Sequence, residues 1–165
     1  MKTVFFIRHA KSSWADASLS DIDRPLNKRG LRDAPFMSQL LKGKGVTVDK
    51  IISSPANRAY TTATYFADAF EIAKQDILVR REIYEAWTED VLGLVRGLDQ
   101  EWNSVLIFGH NPCFTSLANL FSSSYIPNVP TCGISQVVAE VDNWAELTEN
   151  TGRLHAFYYP KQYFD

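Results

Sequence analysis

The stretch Val-Leu-Ile-Phe-Gly-His-Asn-Pro at residues 105–112 decides the fold class of this chain. Residues 105–108 form an unbroken apolar run, which is typical of a parallel strand buried on both faces of its sheet. Gly109 and His110 follow the run, and the pair Asn111-Pro112 predicts a helix start, with a capping residue before a proline. A strand that ends in a polar turn and leads into a helix indicates one unit of a parallel α/β sheet.

The same arrangement occurs at two earlier places in the chain. An apolar run at residues 3–7 precedes Arg8-His9-Ala10, and a predicted second strand at residues 48–53, with Ile51 and Ile52, precedes Ser54-Pro55-Ala56-Asn57-Arg58. In the second case we expect Ser54 to be the N-cap of a helix and Pro55 its first residue. Ligands of open parallel sheets bind beyond the carboxyl ends of the strands. The spacing therefore predicts that two arginines and two histidines meet at one sheet edge: Arg8, His9, Arg58 and His110.

The remaining pattern completes an α/β sandwich. Strands are predicted at residues 77–79, 136–141 and 153–159, and a helix at about residues 88–101. Apolar residues also recur at helical spacing over residues 31–41, with Gly43 as a stop signal. Pro35 lies inside that pattern, so this helix either kinks there or begins near Asp33. Alternating strands and helices predict a single domain, residues 1–165, with helices on both faces of a mostly parallel sheet.

Composition excludes several classes of function. The chain has 165 residues, 45% of them hydrophobic, and a net charge of −2, so it offers no basic field that would hold nucleic acid. No apolar stretch approaches the ~20 residues of a transmembrane helix, and the amino terminus is too short for a signal peptide. Cys113 and Cys132 lack metal-ligand spacing, and we expect them to be buried thiols. These features predict a cytoplasmic protein that binds neither nucleic acid nor membrane.

Two guanidinium groups and two imidazoles in one crevice favour a phosphoryl dianion as ligand. Arginine presents a planar fork that binds phosphate bidentately and stays charged near neutrality. Arg58 would also lie in the first turn of its helix, where free amides attract an anion. His9 is the better candidate for a nucleophile because it follows the first strand in a tight turn, and His110 would donate a hydrogen bond to the developing charge. This set of residues requires no metal and no cofactor.

The motifs together resemble those of the histidine phosphatase superfamily, whose fold is of the phosphoglycerate mutase type. Arg8-His9-Ala10 resembles its arginine-histidine-glycine signature, residues 53–62 resemble its second motif, and Gly109-His110-Asn111-Pro112 its third. Asp23-Arg24-Pro25-Leu26 followed by Gly30 resembles the small SixA-type phosphohistidine phosphatases. The resemblance implies that His9 becomes transiently phosphorylated in a phosphate pocket formed by Arg8, Arg58 and His110.

Two departures from the family pattern narrow the function. Ala10 replaces the usual glycine, so the turn after His9 does not depend on a positive φ. The mutases of this superfamily carry a phosphate-contacting asparagine after their first motif, and Ala15 stands in its place, which weakens a mutase interpretation.

Glu82 and Glu85 follow the predicted third strand, where the superfamily often carries a catalytic carboxylate. Either glutamate, with Glu82 as the first candidate, or neither could be the general acid.

The leading functional prediction is a metal-independent phosphatase acting on protein phosphohistidine. Its closest alternative is a small-molecule phosphatase or a phosphoglycerate mutase-like enzyme, whose partner would be a phosphorylated metabolite. Residues 59–109 leave room for two helices and a short strand but for no extra lid, which favours a phosphoryl group carried on another protein. A non-catalytic module that binds phosphate or phosphoprotein would need only the arginines. A metallohydrolase would need His155 with His9 and His110, and no close ligand spacing supports it.

Overall fold

Six strands form one mixed sheet in the computed structural model, which describes residues 1–164. The strands are β1 (Lys2–Arg8), β2 (Lys50–Ser53), β3 (Leu78–Val79), β4 (Ser104–Gly109), β5 (Ile134–Ala139) and β6 (Gly152–Tyr158). Their order in the sheet is β3-β2-β4-β1-β5-β6. The first four in that order run parallel to one another. On the other side of β1, β5 is antiparallel to β1 and β6 is antiparallel to β5. The predicted mostly parallel α/β fold is confirmed.

Four helices cover the two faces of this sheet. They are α1 (Lys28–Gly43), α2 (Asn57–Ala69), α3 (Thr88–Arg96) and α4 (Cys113–Phe121). Phe5 and Ile7 point to the face covered by α1 and α2, whereas Val4 and Phe6 point to the face covered by α3 and α4. Because successive strand residues face opposite sides, a strand between two helical layers must be apolar throughout. No helix in the described part of the chain is long and apolar enough to cross a membrane.

The sheet order places three strand ends side by side. β1 pairs with β4 so that Arg8 lies opposite Gly109, and the amide of His9 donates to the carbonyl of Gly109 at 3.0 Å. β2 pairs with the other edge of β4, and the amide of Ser54 donates to the carbonyl of Phe108 at 3.0 Å. The residues that follow these three parallel strands are therefore neighbours in space. The sequence prediction that they share one sheet edge is confirmed.

Helix α1 begins well before its proline. Asn27 is the N-cap, and its side chain accepts the amide of Gly30 at 2.9 Å. Pro35 lies inside the helix, and the possibility of a start near Asp33 is therefore wrong. Gly30 explains the early start, because its lack of a side chain lets α1 touch the main chain of Lys11. The Asn27 cap and this close contact fix the first turn before Pro35 is reached.

Both predicted cap-then-proline starts are shifted along the chain. Helix α2 begins at Asn57 with Ala56 in the N-cap position, so Ser54 is not its N-cap and Pro55 precedes the helix. The Ser54 hydroxyl instead accepts the amide of Ala56 at 3.2 Å, and this short turn delays the first helical residue.

The fourth helix shows the same kind of shift. Pro112 takes the N-cap position of α4, so Asn111 lies one residue before the N-cap and is not the N-cap itself, as the sequence predicts. The prediction of an Asn111 N-cap is therefore wrong. Its side chain still accepts the amide of Thr115 at 3.1 Å, so it satisfies a free donor of the first turn. Helix α3 ends at Arg96 rather than near residue 101, because Gly97 follows as its C-cap and the chain turns there.

A close contact at the end of β4 gives a stability test. A Cβ atom on Gly109 would lie 2.5 Å from the ring of Phe114 and 2.8 Å from Cγ2 of Ile83. We expect Gly109→Ala to lower the free energy of unfolding by about 1–3 kcal/mol, because these buried side chains must shift. Gly93→Ala is the matched control: Gly93 lies inside α3 with no atom near its Cβ position, so alanine there should stabilise by roughly 0.5–1 kcal/mol. Urea unfolding would measure both, and equal effects would contradict the packing argument.

Candidate active site

His9 leaves β1 with one ring nitrogen committed to the main chain. Its Nδ1 lies 2.7 Å from the carbonyl oxygen of Ala10. A carbonyl oxygen only accepts, so Nδ1 carries the proton and Nε2 keeps a free lone pair. The side chain is buried, and burial lowers the pKa of His9 to about 3, with nearby His110, Arg58 and Arg8 acting in the same direction. A neutral imidazole with a free Nε2 is what nucleophilic attack requires.

His110 lies directly beside His9, with 5.3 Å between the ring centroids. Its Nε2 is 2.8 Å from the hydroxyl of Ser54. That hydroxyl accepts the amide of Ala56 and can donate its own hydrogen to Nε2, and we assign the His110 proton to Nδ1 on this basis. Nδ1 is buried and has no partner. Burial, followed by the positive charge of Arg58, lowers the pKa of His110 to about 4.

Arg8 and Arg58 are each held by a hydrogen bond to a main-chain carbonyl. Nη1 of Arg8 donates to the carbonyl of Val129 at 2.9 Å, and Nη1 of Arg58 donates to the carbonyl of Asp21 at 2.7 Å. Each guanidinium is thus held at one end by a main-chain oxygen. The Nε atom of both arginines is buried and has no partner. Burial lowers the pKa of Arg8, and the charge of Arg58 adds to this effect.

Three buried donors of the site therefore lack an acceptor: Nε of Arg8, Nε of Arg58 and Nδ1 of His110. Buried polar groups in folded proteins nearly always have a partner, and leaving one unsatisfied costs about 1–3 kcal/mol. A single anion with several acceptor oxygens, placed beside His9, would satisfy all three donors. A phosphoryl group offers at least three acceptor oxygens, which is the number that these donors require.

The turn after His9 is fixed without glycine. The non-glycine residues with positive φ in the described chain are Glu71, Glu85 and Cys132, so Ala10 has an ordinary backbone conformation. The amide of Ala10 donates to the hydroxyl of Thr62 at 3.0 Å, and this hydroxyl donates to the carbonyl of Arg58 at 2.7 Å. The turn that carries His9 is therefore tied to the first turn of α2, which carries Arg58.

Two residues at the site were not found from the sequence. The Asp21 carboxylate accepts Nη2 of Arg58 at 3.0 Å and the hydroxyl of Tyr84 at 2.7 Å. The ring of Tyr84 packs edge-on against His110, with 5.5 Å between centroids. These hydrogen bonds, that of Tyr84 first, hold the pKa of Asp21 at about 2. Asp21 lies in a polar loop without periodicity; its only signal was its place two residues before Asp23-Arg24-Pro25.

The structure separates the two candidate glutamates. Glu82 is exposed in a 3-10 turn, Arg81–Ile83, and faces a depression lined by Leu78 and Leu94. Glu85 lines a different depression, of about 230 Å³, together with His110. Glu85 also has a positive φ of 56°, which is rare for a residue with a side chain. Only Glu85 of the pair shares a cavity with a residue of the phosphate site.

The other candidate ligands lie apart. His155 is exposed on β6 with its Nδ1 3.3 Å from the side chain of Arg153. Cys113 and Cys132 are buried free thiols, as predicted, and burial raises the pKa of Cys113 to about 12. Within residues 1–164, no group of three His, Cys, Asp or Glu side chains is arranged to hold a metal ion.

Comparisons with known proteins identify a family and related sequences. The sequence model of the histidine phosphatase superfamily, branch 1, matches residues 4–105. An uncharacterized chloroplastic protein of Arabidopsis thaliana is 28% identical over 159 residues, which is 92% of this chain and 72% of the relative. Phosphoserine phosphatase 1 of Hydrogenobacter thermophilus is 30% identical over 105 residues, 54% of this chain and 49% of that protein.

Solved structures with the same fold include two SixA proteins. The protein histidine phosphatase SixA complexed with tungstate superposes with a TM-score of 0.80 at 25% identity, covering 97% of this chain and 98% of the other. A candidate phosphohistidine phosphatase SixA from Agrobacterium tumefaciens gives a TM-score of 0.79 at 28% identity, covering 96% and 98%. Each superposition therefore covers nearly the whole chain, beyond the residues 4–105 that the family model matches.

The two low histidine pKa values make stability depend on pH. The folded protein keeps His9 and His110 neutral, with pKa values of about 3 and 4 against 6.5 for an ordinary histidine, so it binds fewer protons than the unfolded chain. Stability is therefore complete above about pH 6.5 and falls as the pH drops toward the folded-state values. At about pH 4.5 each histidine should cost about 2–3 kcal/mol relative to pH 7.

Urea unfolding in phosphate-free buffer at both pH values would measure this loss. Between the two pH values, we expect His9→Asn to lose about 2–3 kcal/mol less stability than the wild type, because the variant lacks the contribution of His9. His155→Asn, which removes an exposed histidine, should show the wild-type pH dependence. If wild type and His9→Asn lose equal stability, His9 takes up a proton in the folded protein as easily as in the unfolded chain.

Proposed function

The chain belongs to the histidine phosphatase superfamily, and we propose that it is a phosphohistidine phosphatase that works through a phosphorylated His9. The observation that carries this proposal is the set of unsatisfied donors around His9. Arg8, Arg58 and His110 each present a buried N–H without an acceptor, next to an imidazole whose Nε2 is free. A site with this arrangement can bind a phosphoryl group and attack it.

The reaction would proceed in two transfers. In the first, the Nε2 lone pair of His9 attacks phosphorus, the bond to the leaving group breaks, and the leaving group takes up a proton. In the second, water attacks the phosphohistidine, the P–N bond breaks, and Nε2 of His9 recovers its lone pair as phosphate forms. Arg8, Arg58 and His110 donate to the phosphoryl oxygens, which carry the charge of the transition state. Because these donors are already in place, no reorganisation is needed during transfer.

The architecture favours a phosphoryl group carried on a protein. Between α2 and β4 the chain forms only β3, two 3-10 turns and α3. The apolar residues of α3 pack into the core beneath the sheet, so this helix belongs to the sandwich. In the described chain, no inserted subdomain lies between these elements to enclose a small substrate. The similarity to the two SixA structures supports the same substrate class.

Glu85 is the carboxylate that we propose to lie near the leaving group. It shares a depression with His110 and Trp87, whereas Glu82 faces a separate depression. Glu85 is exposed, so its carboxyl group is accessible from solvent. Such a group can assist an alcohol, which leaves poorly without an acid. An imidazole leaving group needs less assistance, because it takes a proton from water with a pKa near ~6.5.

A phosphate ester is the alternative substrate. The relative from Hydrogenobacter thermophilus is a phosphoserine phosphatase, and its match covers 54% of this chain. The phosphate pocket described above would bind an ester as well as a phosphoramidate, because both present the same terminal oxygens. The two candidates differ only in the leaving group, so the choice between them depends on the surroundings of Glu85.

The proposed intermediate gives a direct test. Rapid quenching with a slow phosphoryl donor should trap a phosphorylated protein whose label is acid-labile and stable in base, as a P–N bond is. His9→Ala should form no such label and should lose turnover by more than about 100-fold, because it lacks the Nε2 atom that the proposal assigns as the nucleophile. Activity of the wild type should be the same with and without a metal chelator. Turnover by His9→Ala, or a label that survives acid, would refute the proposal.

The leaving-group hypothesis is tested with a matched pair of glutamates. We expect Glu85→Gln to reduce kcat/KM for a phosphoserine peptide by roughly 100-fold and for a phosphohistidine protein by less than about fivefold. Glu82→Gln, an equal change of charge in the neighbouring depression, should alter neither by more than about twofold. Parallel assays of both variants with both substrates would measure this. An equal loss on the two substrates would show that Glu85 does not act on the leaving group.

A further inference from the structure

Asp21 makes a double contact with the guanidinium of Arg58. Its main-chain carbonyl accepts Nη1 at 2.7 Å, and its carboxylate accepts Nη2 at 3.0 Å. The Arg58 side chain is 8% exposed and that of Asp21 is 48% exposed, so the carboxylate stands on the solvent side of the buried cation. A phosphoryl group that enters the site must therefore approach Arg58 next to an existing negative charge.

The carboxylate is held in place by two further partners. Tyr84 donates its hydroxyl to the oxygen that also contacts Arg58, and Nε of Arg24 donates to the other oxygen at 3.2 Å. Arg24 is itself buried, bonded to the hydroxyl of Ser12 and stacked on the ring of Trp14. Three donors from three segments thus fix one carboxylate. These contacts keep the pKa of Asp21 at about 2, so the group is charged throughout the neutral range.

Asp21 offsets part of the positive charge that surrounds the phosphate site. Arg8, Arg24 and Arg58 are positively charged, His9 and His110 are neutral, and Asp21 places one negative charge directly at Arg58. Asp21 is the carboxylate that pairs with Arg58, and within residues 1–164 no other acid forms an ion pair with Arg8 or Arg58. Without Asp21, the buried guanidinium of Arg58 would have no carboxylate partner within residues 1–164.

We propose that Asp21 is the resident counter-ion of Arg58, which competes with the phosphoryl group for this arginine and so limits how tightly the site retains product phosphate. In the empty site Asp21 compensates the buried cation. In the occupied site the carboxylate and the phosphate share one guanidinium and repel each other, which weakens phosphate binding. The inference rests on the proposed function only in taking phosphate as the ligand.

Asp21→Asn is the sharpest variant, because it removes the charge and keeps an oxygen acceptor for Nη2. Asp23→Asn is its matched control: Asp23 lies in the same 3-10 turn, is exposed, and its carboxylate contacts only Ser20 among the described side chains. The measurement is the dissociation constant of inorganic phosphate and of orthovanadate by calorimetry, which does not require turnover. We expect Asp21→Asn to bind phosphate at least about tenfold more tightly than the wild type, and Asp23→Asn to bind within about twofold of it.

Thermal unfolding gives a second readout. Without ligand, Asp21→Asn should unfold at a lower temperature than the wild type, because Arg58 has lost its counter-charge. Added phosphate should raise the unfolding temperature of this variant by more than that of the wild type. If Asp21→Asn does not fold, Asp21→Ser carries the same expectations and is measured in its place.

The outcomes separate this inference from the function on which it rests. If wild-type protein binds neither phosphate nor vanadate, both are overturned. If the wild type binds phosphate but Asp21→Asn binds it equally or more weakly, the function stands and the counter-ion role is wrong. Weaker binding in that case would show that Asp21 chiefly orients Arg58. Tighter binding by both Asp21→Asn and Asp23→Asn would reflect general charge and would also overturn the specific role.

Discussion

The parallel pairing of β1 with β4 at the centre of the sheet is the constraint on which the site depends. It aligns Arg8 with Gly109, so that the chain leaves both strands at the same level. The hydrogen bond from the amide of His9 to the carbonyl of Gly109 extends the ladder by one residue, and it brings the two imidazoles to 5.3 Å. A shift of one residue in this register would turn His9 toward the opposite face of the sheet. The packing of Gly109 against Phe114 therefore protects the geometry of the site.

The sequence was most informative where burial on both faces leaves little choice. Residues 105–108 and 3–7 must be apolar to lie between two helical layers, and the polar residues that follow them can only lie at the sheet edge. The gathering of His9, His110, Arg8 and Arg58 follows from this constraint alone. Helix ends were less predictable, because Ser54 and Asn111 bond to amides in a manner that local sequence does not decide. The Ser54 hydroxyl also hydrogen-bonds to His110, which lies 56 residues away in the sequence.

Loop contacts lay outside the reach of sequence reasoning. Asp21 lies at the site through contacts with Arg58, Tyr84 and Arg24, and Arg24 is itself buried and stacked on Trp14. No periodic pattern marks such a loop, and a carboxylate beside a phosphate-binding arginine runs against the simple expectation of a purely basic pocket. The sequence also does not distinguish Glu82 from Glu85. A 3-10 turn at Arg81–Ile83 precedes Glu85, and the two glutamates line different depressions. Composition does not predict such a turn.

The site combines neutral bases with buried cations, and these have opposite requirements. Burial makes His9 and His110 neutral, which a nucleophile and a neutral donor need, but the same burial is costly for Arg8 and Arg58. Main-chain carbonyls at Nη1 of each arginine offset part of that cost and leave Nε unsatisfied. A bound phosphoryl group would supply the remaining acceptors. Phosphate binding would therefore gain the hydrogen bonds that the empty site lacks. We propose that the Asp21 carboxylate at Arg58 limits the resulting affinity, as a catalyst that must release phosphate in every cycle requires.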